Sequence, residues 1–329
     1  MSKPYRTTVT VQTPATSANL GPGFDALGLA LEFHDEIEAT VRADDRVVVT
    51  VEGEGADTVP LDESHLVVRA LRTAFEAAGE RMPGIDLHCR NRIPHARGLG
   101  SSSSAITAGI TAGAALLGRR DEKQPDGVDR DWIFSLAADL EGHPDNVAPC
   151  VYGGFTVAWR GDGGWHALST APSPRIRPIV CVPDGGLSTE RARGLLPESV
   201  PHADAAFSAG RAALLTAAVF GHPELLFPAT EDRLHQEYRA EAMPESVQLI
   251  RSLRASGFAA VVSGAGPTVL VLADLAEHGV AGAQSGAYGD RDQISLDLVD
   301  SIQGRTGTGW HIRPLRIDQA GVRVTSPRS

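Results

Sequence analysis

The residues best suited to chemistry lie in Ile93–Ala105, IPHARGLGSSSSA, where two glycines lead into four consecutive serines. Gly98 and Gly100 allow the backbone to curl tightly. The small apolar pattern that follows predicts a helix, whose first N–H groups and positive dipole end attract anions. Serine hydroxyls add donors, and one of them could ligate a metal ion that accompanies phosphate. This chemistry is that of a phosphate loop, although composition alone slightly favours a Ser/Gly turn that only caps a helix.

Two better-known nucleotide motifs are excluded. No lysine follows the second loop glycine, so the Walker pattern G-x-x-x-x-G-K-[ST] is absent. Gly21–Ala26 satisfies G-x-G-x-x-[GA], but Pro14 and Pro22 interrupt the strand-to-helix passage that a dinucleotide site requires. The segments Glu36–Arg42 and Arg46–Glu52 then resemble strands, so no βαβ unit follows. By its residues alone, this second glycine-rich stretch is a turn between strands.

A second polar cluster, Glu141–Asn146 with sequence EGHPDN, follows a short helix predicted at Trp132–Leu140. Its spacing does not match a zinc helix, and Pro144 breaks any helical face. A single carboxylate holding Mg²⁺ is therefore the better metal hypothesis. A polar turn with capping residues explains the same sequence equally well.

Composition limits the possible functions. The 329 residues fit two domains with sizeable cores, and the formal net charge of −11 argues against a nucleic-acid surface. Cys89, Cys150 and Cys181 lie far apart and predict neither disulfides nor a zinc site. MSKPYRTTVTVQ lacks the apolar region of a secretory signal, and the apolar run Ala105–Leu117 is too short to span a bilayer. We therefore expect a cytoplasmic protein with no membrane partner.

Strands and helices alternate along the chain, but direct strand-to-strand steps also occur, so the predicted fold class is α+β. Thr7–Gln12 alternates as a strand that Pro14 ends. Asp62 and Ser64 are the capping candidates for a helix that ends at Gly79. Further strands are predicted at Ile85–Cys89, Gly153–Trp159, Ile179–Val182, Phe258–Val262, Thr268–Ala273 and Trp310–Leu315, and further helices at Ala205–Phe220, Glu231–Arg239 and Glu245–Ala255.

Four stretches of the chain match one known family in order. They are the loop pattern P-x-x-x-G-L-G-S-S, PATSANLGPGFDALGLAL at Pro14–Leu31, EGHPDNVAPCVYGG at Glu141–Gly154 and SGAGPT at Ser263–Thr268. Together they resemble the homoserine kinases of the GHMP kinase superfamily, which is named for galactokinase, homoserine kinase, mevalonate kinase and phosphomevalonate kinase. The resemblance reaches from near the N-terminus to past Thr268 and covers most of the chain.

The resemblance implies a two-domain α+β fold. An N-terminal ATP-binding domain similar to the second domain of ribosomal protein S5 would occupy residues 1–173, and a ferredoxin-like domain completing the substrate site would occupy residues 174–329. The proline-rich segment Ala171–Pro178 is the best domain boundary. The family phosphorylates the side-chain hydroxyl of L-homoserine with ATP, giving O-phospho-L-homoserine in threonine biosynthesis, and a homodimer is expected.

Two alternatives are a sister kinase acting on another small alcohol and a non-catalytic nucleotide-binding paralogue. The NLGPGFD stretch favours the homoserine kinases over their sister families. A non-catalytic paralogue would be expected to have lost Glu141 or the second loop serine, and both are present.

The resemblance also assigns the site residues. The ATP phosphates would contact Pro94, His95, Ala96, Arg97, Gly98, Leu99, Gly100, Ser101, Ser102, Ser103 and Ser104. Ser102 and Glu141 would hold Mg²⁺ and, with Asn146, form the catalytic set. L-Homoserine would contact Asn19, Asp25, His143, Thr189, Arg193 and Arg239, with Asp25 facing its ammonium and the two arginines its carboxylate. Without the resemblance, those arginines can also be explained as solvated surface residues, and for Arg239 taken alone that explanation is favoured.

Two positions, Asn146 and His65, depart from the family pattern and qualify this assignment. Asn146 stands close to where some superfamily members place an aspartate base, and an amide cannot take a proton. We therefore expect the proton to leave directly to phosphate or solvent, with Asp145 as the rival base and His143 as a weaker one. His65 stands where an asparagine is common in the family, so the residues that contact adenine are left unassigned.

Overall fold

The computed structural model describes residues 7–124, 126–276 and 298–325. The strands are β1 (Thr8–Ala18), β2 (Leu27–Val41), β3 (Val47–Gly53), β4 (Ile85–Asn91), β5 (Phe155–Gly161), β6 (Gly164–Thr170), β7 (Ile176–Pro183), β8 (Ala260–Val262), β9 (Val269–Asp274), β10 (Trp310–Pro314) and β11 (Arg323–Thr325). The helices are α1 (Leu66–Ala77), α2 (Ser101–Leu116), α3 (Arg130–Glu141), α4 (Val147–Tyr152), α5 (Thr189–Gly194), α6 (His202–Phe220), α7 (Leu226–Ala229) and α8 (Pro244–Ala255), with 3₁₀ turns at Pro223–Leu225 and Glu237–Ala242. The predicted α+β class is confirmed.

Two sheets organise the described part of the chain. Seven strands form the first, in the order β11-β1-β2-β4-β3, with β5 paired to β2 and β6 paired to β5, and α1 and α2 pack against it. Four antiparallel strands form the second, in the order β10-β7-β9-β8. Numbered along the chain, the second order is 4-1-3-2, which is that of a ferredoxin-like split βαβ unit.

The chain passes from one sheet to the other between β6 and β7, inside the predicted boundary Ala171–Pro178. The last strand, β11, returns to the first sheet and pairs with β1. Residues 1–6, 277–297 and 326–329 of the two predicted ranges lie outside the described residues. The division into 1–173 and 174–329 remains a proposal.

Strand β1 does not end at Pro14, so that expectation was wrong. The pairing of β1 with β2 shifts between Pro14, opposite His34, and Ala15, opposite Leu31. Such a bulge leaves room for a proline, which has no N–H group to donate to the ladder. β1 therefore continues to Ala18 and delivers Asn19 to the cleft between the sheets.

Two of the predicted helices differ from the structure. Helix α1 is capped by His65, whose Nδ1 accepts the Val67 N–H at 3.3 Å, and not by Asp62 or Ser64. The helix predicted over Glu231–Arg239 is absent. In its place Asp232 accepts three successive backbone N–H groups, and a competing side-chain acceptor of this kind favours a turn over a helix.

Within the described residues, α6 is the one helix long and apolar enough to cross a membrane by composition, with a mean hydropathy of 1.2 over its best window. Only 22% of that window is buried. The buried side includes Leu215, Ala218 and Val219, which pack in the core beside the second sheet. The expected lack of a membrane partner remains a prediction.

Helices α1 and α2 approach each other closely because α2 presents glycine. A Cβ atom on Gly109 would lie 2.4 Å from the Val67 carbonyl oxygen, and one on Gly113 would lie 2.5 Å from the Ala74 Cβ. Both distances are shorter than van der Waals contact allows. The close approach of α1 and α2 is therefore set by glycine in the second half of α2.

We expect Gly109→Ala to lower the free energy of unfolding by about 1–3 kcal/mol through overpacking. Alanine is about 1 kcal/mol better than glycine in an exposed helix, so intrinsic propensity predicts the opposite sign. Gly210→Ala in exposed α6, where nothing lies within 4 Å of the position that a Cβ would take, is the matched control and should be neutral or stabilising. Urea unfolding of both variants measures the difference, and a stabilised Gly109→Ala would contradict the packing argument.

Candidate active site

The phosphate loop lies between β4 and α2, and its carbonyl groups point into the protein. The carbonyl oxygens of Ala96, Arg97 and Leu99 accept the backbone N–H groups of Leu187, Thr268 and Thr16, and that of Gly98 accepts the Ser263 hydroxyl. In the described residues, the N–H groups of positions 98–103 have no hydrogen-bond partner. No side chain caps the start of α2 at Gly100. The loop is therefore a row of open donors at a helix N-terminus, which suits an anion.

The two loop glycines are required by packing as well as by conformation. Gly98 and Gly100 have φ of 78° and 71°, which L side chains rarely adopt. A Cβ on Gly98 would lie 2.3 Å from the Ser263 carbonyl oxygen, and one on Gly100 would lie 1.9 Å from the Thr16 Oγ1. Valine at either position would thus disturb the contact with Ser263 or Thr16 besides any phosphate contact.

The loop serines meet Glu141 at the end of α3. The Ser102 hydroxyl donates to Glu141 Oε1 at 2.5 Å, and the Ser103 hydroxyl donates to the same oxygen at 2.9 Å. The described residues contain no group of three or more His, Cys, Asp or Glu side chains placed to hold a metal ion. A hydroxyl and a carboxylate beside a phosphate loop nevertheless suit Mg²⁺, which prefers oxygen ligands and takes the rest from phosphates and water.

The EGHPDN segment lines the cleft beside Glu141 and includes an ordered pair. His143 Nδ1 lies 2.9 Å from Asp145 Oδ1, and the same oxygen accepts the Asn146 N–H at 2.9 Å. Burial disfavours the imidazolium form, but the hydrogen bond and charge of Asp145, with the charge of Glu141, outweigh it and raise the pKa of His143. Thr16 donates to Asn146 Oδ1 at 2.8 Å, which assigns the amide Nδ2 as a donor toward the cleft.

An ion pair joins the glycine-rich loop after β1 to α5. Arg193 donates to both oxygens of Asp25, at 3.0 and 2.7 Å. The Asp25 side chain is 36% exposed, so the carboxylate is neither buried nor without a partner. Asn19 is used internally, because its Oδ1 accepts the Asp25 N–H and its Nδ2 donates to the Gly264 carbonyl. Both loop residues are held in place before any ligand binds.

Arg239 is 1% exposed, which removes the interpretation of this residue as a solvated surface arginine. Its Nε donates to the Ala192 carbonyl at 3.2 Å, and its Nη1 lies 3.1 Å from His235 Nδ1. In the described residues Nη2 has no hydrogen-bond partner. Because Arg239 also lines the cleft, it offers a charged donor there.

A polar cleft of about 270 Å³ brings most of these side chains together. Of the predicted site residues, its lining contains Asn19, Ala96, Gly98, Gly100, Ser101, Ser102, Glu141, His143, Asn146, Thr189, Arg193 and Arg239. Three other predicted residues lie outside this lining. Asp25 is paired with Arg193, and the Ser103 hydroxyl donates to Glu141. The Leu99 side chain lies in the core. The Arg97 guanidinium bonds the carbonyls of His95, Pro183 and Asp184 and so faces the second domain. Ser188, Gly264 and Ala265 also line the cleft and were missed, since loop glycines and serines carry little signal in one sequence.

A second, mainly apolar cavity of about 280 Å³ adjoins the phosphate loop and shares Ser101 and Ser102 with the polar cleft. Pro94 lies at the start of the loop, while His95 and Ser104 line this cavity along with His65. Burial, with the nearby His95, lowers the pKa of His65 and favours its neutral form. Ser104 contacts Thr13 at 2.8 Å and Asp35 at 3.5 Å. An apolar cavity continuous with a phosphate site suits a nucleotide base.

Comparison with known proteins follows the same division of the chain. Residues 65–154 match the family of GHMP kinases N terminal domain, and residues 211–284 match that of GHMP kinases C terminal. The homoserine kinase of Streptomyces avermitilis is 54% identical over 316 residues, covering 96% of this chain and 95% of that protein. The homoserine kinase of Streptomyces coelicolor is 50% identical over 316 residues, covering 96% and 94%.

A solved structure shares the fold. The crystal structure of homoserine kinase from Cytophaga hutchinsonii has a TM-score of 0.82 at 22% identity and covers 97% of this chain and 98% of that one. The predicted two-domain fold is therefore confirmed. Given the identity to the two Streptomyces proteins over nearly the whole chain, this protein belongs to the homoserine kinase family of the GHMP kinases.

Proposed function

We propose that this enzyme transfers the γ-phosphoryl group of ATP to the side-chain hydroxyl of L-homoserine, giving O-phospho-L-homoserine for threonine biosynthesis. The observation that carries the proposal is the polar cleft, in which open phosphate-loop donors face Arg193 and Arg239. Identity of 50% and 54% to homoserine kinases over nearly the whole chain supports the substrate. The NLGPGFD stretch and the identity to homoserine kinases argue against a sister kinase, and the presence of Ser102 and Glu141 argues against a non-catalytic paralogue.

We assign the ATP phosphates to the open N–H groups of positions 98–103 and the base to the apolar cavity lined by His65. The His65 Nδ1 accepts a backbone N–H, so the neutral ring carries its proton on Nε2. A donor within an apolar cavity suits an acceptor nitrogen of a purine. A cytoplasmic location and a homodimer are further parts of this proposal.

Ser102 and Glu141 would hold Mg²⁺ against the phosphates. The bound ion would neutralise charge on the transferring phosphoryl group. In this structure Glu141 accepts hydrogen bonds from the Ser102 and Ser103 hydroxyls at the mouth of the phosphate loop. The contact keeps both ligands close enough to share one ion.

We expect Glu141→Gln to lower kcat on the order of 100-fold or more, because a neutral amide keeps the serine hydrogen bonds but is a poor Mg²⁺ ligand. The measurement is ADP release at saturating ATP and L-homoserine over a range of magnesium concentrations. Asp139→Asn is the matched control, since Asp139 lies on the same helix and accepts from Trp165 away from the cleft. Near-normal kcat of Glu141→Gln at saturating magnesium would exclude the assignment.

Proton removal is proposed to need no side-chain base. Asn146 can only donate with its amide nitrogen, and Asp145 Oδ1 is already shared by His143 and a backbone N–H. Asp145 thus holds the EGHPDN turn in shape and keeps His143 directed. Phosphoryl transfer is then a matter of alignment and charge neutralisation.

We expect Asp145→Asn to retain kcat to within about tenfold, whereas loss of an obligatory base costs about 100-fold or more. The asparagine oxygen can still accept the Asn146 N–H, but removing the carboxylate charge lowers the pKa of His143, because that charge helps to raise it. Because no base is removed, the pH profile of kcat should keep all of its limbs. A loss above 100-fold together with a lost pH limb would identify Asp145 as the base, and Asp139→Asn again serves as control.

Recognition of the substrate is proposed to use both of its charges. Asp25 and Arg193 form a bidentate pair at the cleft edge, and Arg239 is buried with one guanidinium nitrogen open. An amino acid carries an ammonium for Asp25 and a carboxylate for the arginines, so it can exchange with the ion pair without leaving a charge unmatched. A hydroxy acid without an ammonium has a carboxylate for the arginines but no positive charge for Asp25.

We expect the wild type to prefer L-homoserine over 4-hydroxybutyrate by at least about 100-fold in kcat/KM, and Asp25→Asn to lose most of that preference. The coupled ADP-release assay with both alcohols gives the ratio. Asp204→Asn, which breaks an exposed pair with Arg233 outside the cleft, controls for the lost charge. Equal use of the two compounds by the wild type would remove the amino-acid assignment and return the enzyme to the wider superfamily.

A further inference from the structure

His235 is a buried histidine without a role in the proposed phosphoryl transfer or metal binding. It is 0% exposed and lies in the turn before the 3₁₀ segment Glu237–Ala242. Its Nε2 is 2.7 Å from the Gly21 carbonyl oxygen, and its Nδ1 is 3.1 Å from Arg239 Nη1. A carbonyl can only accept and a guanidinium can only donate, so the ring is neutral, with its proton on Nε2.

The charges around His235 agree with a neutral ring. Burial lowers the pKa of His235, and the Arg239 guanidinium lowers it further, while Asp232, the Gly21 carbonyl and Asp25 act in the opposite direction. Asp232 is fully buried and accepts the N–H groups of Leu234, His235 and Gln236. The backbone of the turn is therefore fixed before the ring makes its two contacts.

The two partners of His235 belong to the two sides of the substrate cleft. Gly21 lies in the loop that carries Asn19 and Asp25, and Arg239 comes from the second domain. The Phe24 ring, from the same loop as Gly21, packs against both His235 and Arg239, with its centroid 5.3 Å from that of His235 and 5.5 Å from the Arg239 Cζ. A shift of either partner would therefore be transmitted to the other through one imidazole.

We propose that His235 is a positioning residue for substrate binding. Its neutral imidazole fixes the Arg239 guanidinium relative to the Gly21 loop, so that Arg239 and that loop contact the same substrate molecule. The proposal rests on the proposed function, in which Arg239 binds the substrate carboxylate. The Nδ1 acceptor orients Nη1 and leaves Nη2, which has no partner in the described residues, on a side chain that lines the cleft. The Nε2 donor sets the distance from that guanidinium to the loop bearing Asp25.

Two amide variants separate the two contacts. In His235→Asn the amide oxygen can take the place of Nδ1 and accept from Arg239, whereas in His235→Gln the amide nitrogen can take the place of Nε2 and donate to Gly21. We expect His235→Gln to raise the KM for L-homoserine about tenfold or more, with kcat and the KM for ATP within about threefold. We expect His235→Asn, which keeps the contact with Arg239, to have a KM for L-homoserine close to that of the wild type. His222→Gln, at an exposed histidine paired with Glu224, is the control and should change neither KM.

Arg239→Met, measured in the same assay, distinguishes the failure of this inference from that of the proposed function. If Arg239→Met leaves the KM for L-homoserine unchanged, the carboxylate role of Arg239 is wrong. If Arg239→Met raises it and His235→Gln does not, only the role of His235 is wrong. In the double variant the His235→Gln effect should largely vanish, and full additivity would overturn the proposal. Should His235→Gln fail to fold by thermal melting, a tenfold increase in KM in a folded His235→Asn would equally overturn it.

Discussion

The hydrogen bonds that turn the phosphate-loop carbonyls into the protein are the interactions on which the rest of the site depends. Four successive carbonyls, of residues 96–99, accept from donors on β1, on the segment before α5 and on the loop between β8 and β9. An anion at the loop therefore meets N–H groups without facing carbonyl oxygens. Because both domains supply these donors, the loop takes its shape only when the two sheets are packed together.

The charged side chains of the cleft have hydrogen-bond or ion-pair partners within the protein. Glu141 accepts from two serines, Asp25 holds Arg193, and Asp145 holds His143. Each pairing lowers the cost of placing a charge in a partly enclosed site. Under the proposed function, substrate and metal would each replace one of these partners, so the free energy of binding would be a difference between two sets of contacts. Specificity follows from which ligand can replace both partners at once.

Local sequence signals predicted most elements but failed at three places, where a β-bulge or one particular side-chain hydrogen bond decides the local structure. Pro14 lies within a strand because the bulge at that point needs no N–H donor. His65 caps α1 although Asp62 and Ser64 are stronger capping residues in isolation. The helix expected over Glu231–Arg239 is replaced by a turn because Asp232 takes three backbone N–H groups. At Pro14 the bulge outweighs the local signal, and at His65 and Asp232 a side-chain hydrogen bond does so.

The sequence by itself determined the chemistry available to this protein. The glycine pair and the serine run predict an anion-binding loop, and the four matching stretches, the EGHPDN segment among them, indicate the family of kinases to which the chain belongs. Only the tertiary structure decided which donors stay open, that Arg239 is buried, and that His235 joins it to Gly21. The reason is that local residue types set what a group can bond, whereas its actual partner, 165 residues away for Gly98 and Ser263 and 214 for Gly21 and His235, is chosen by how the two sheets pack.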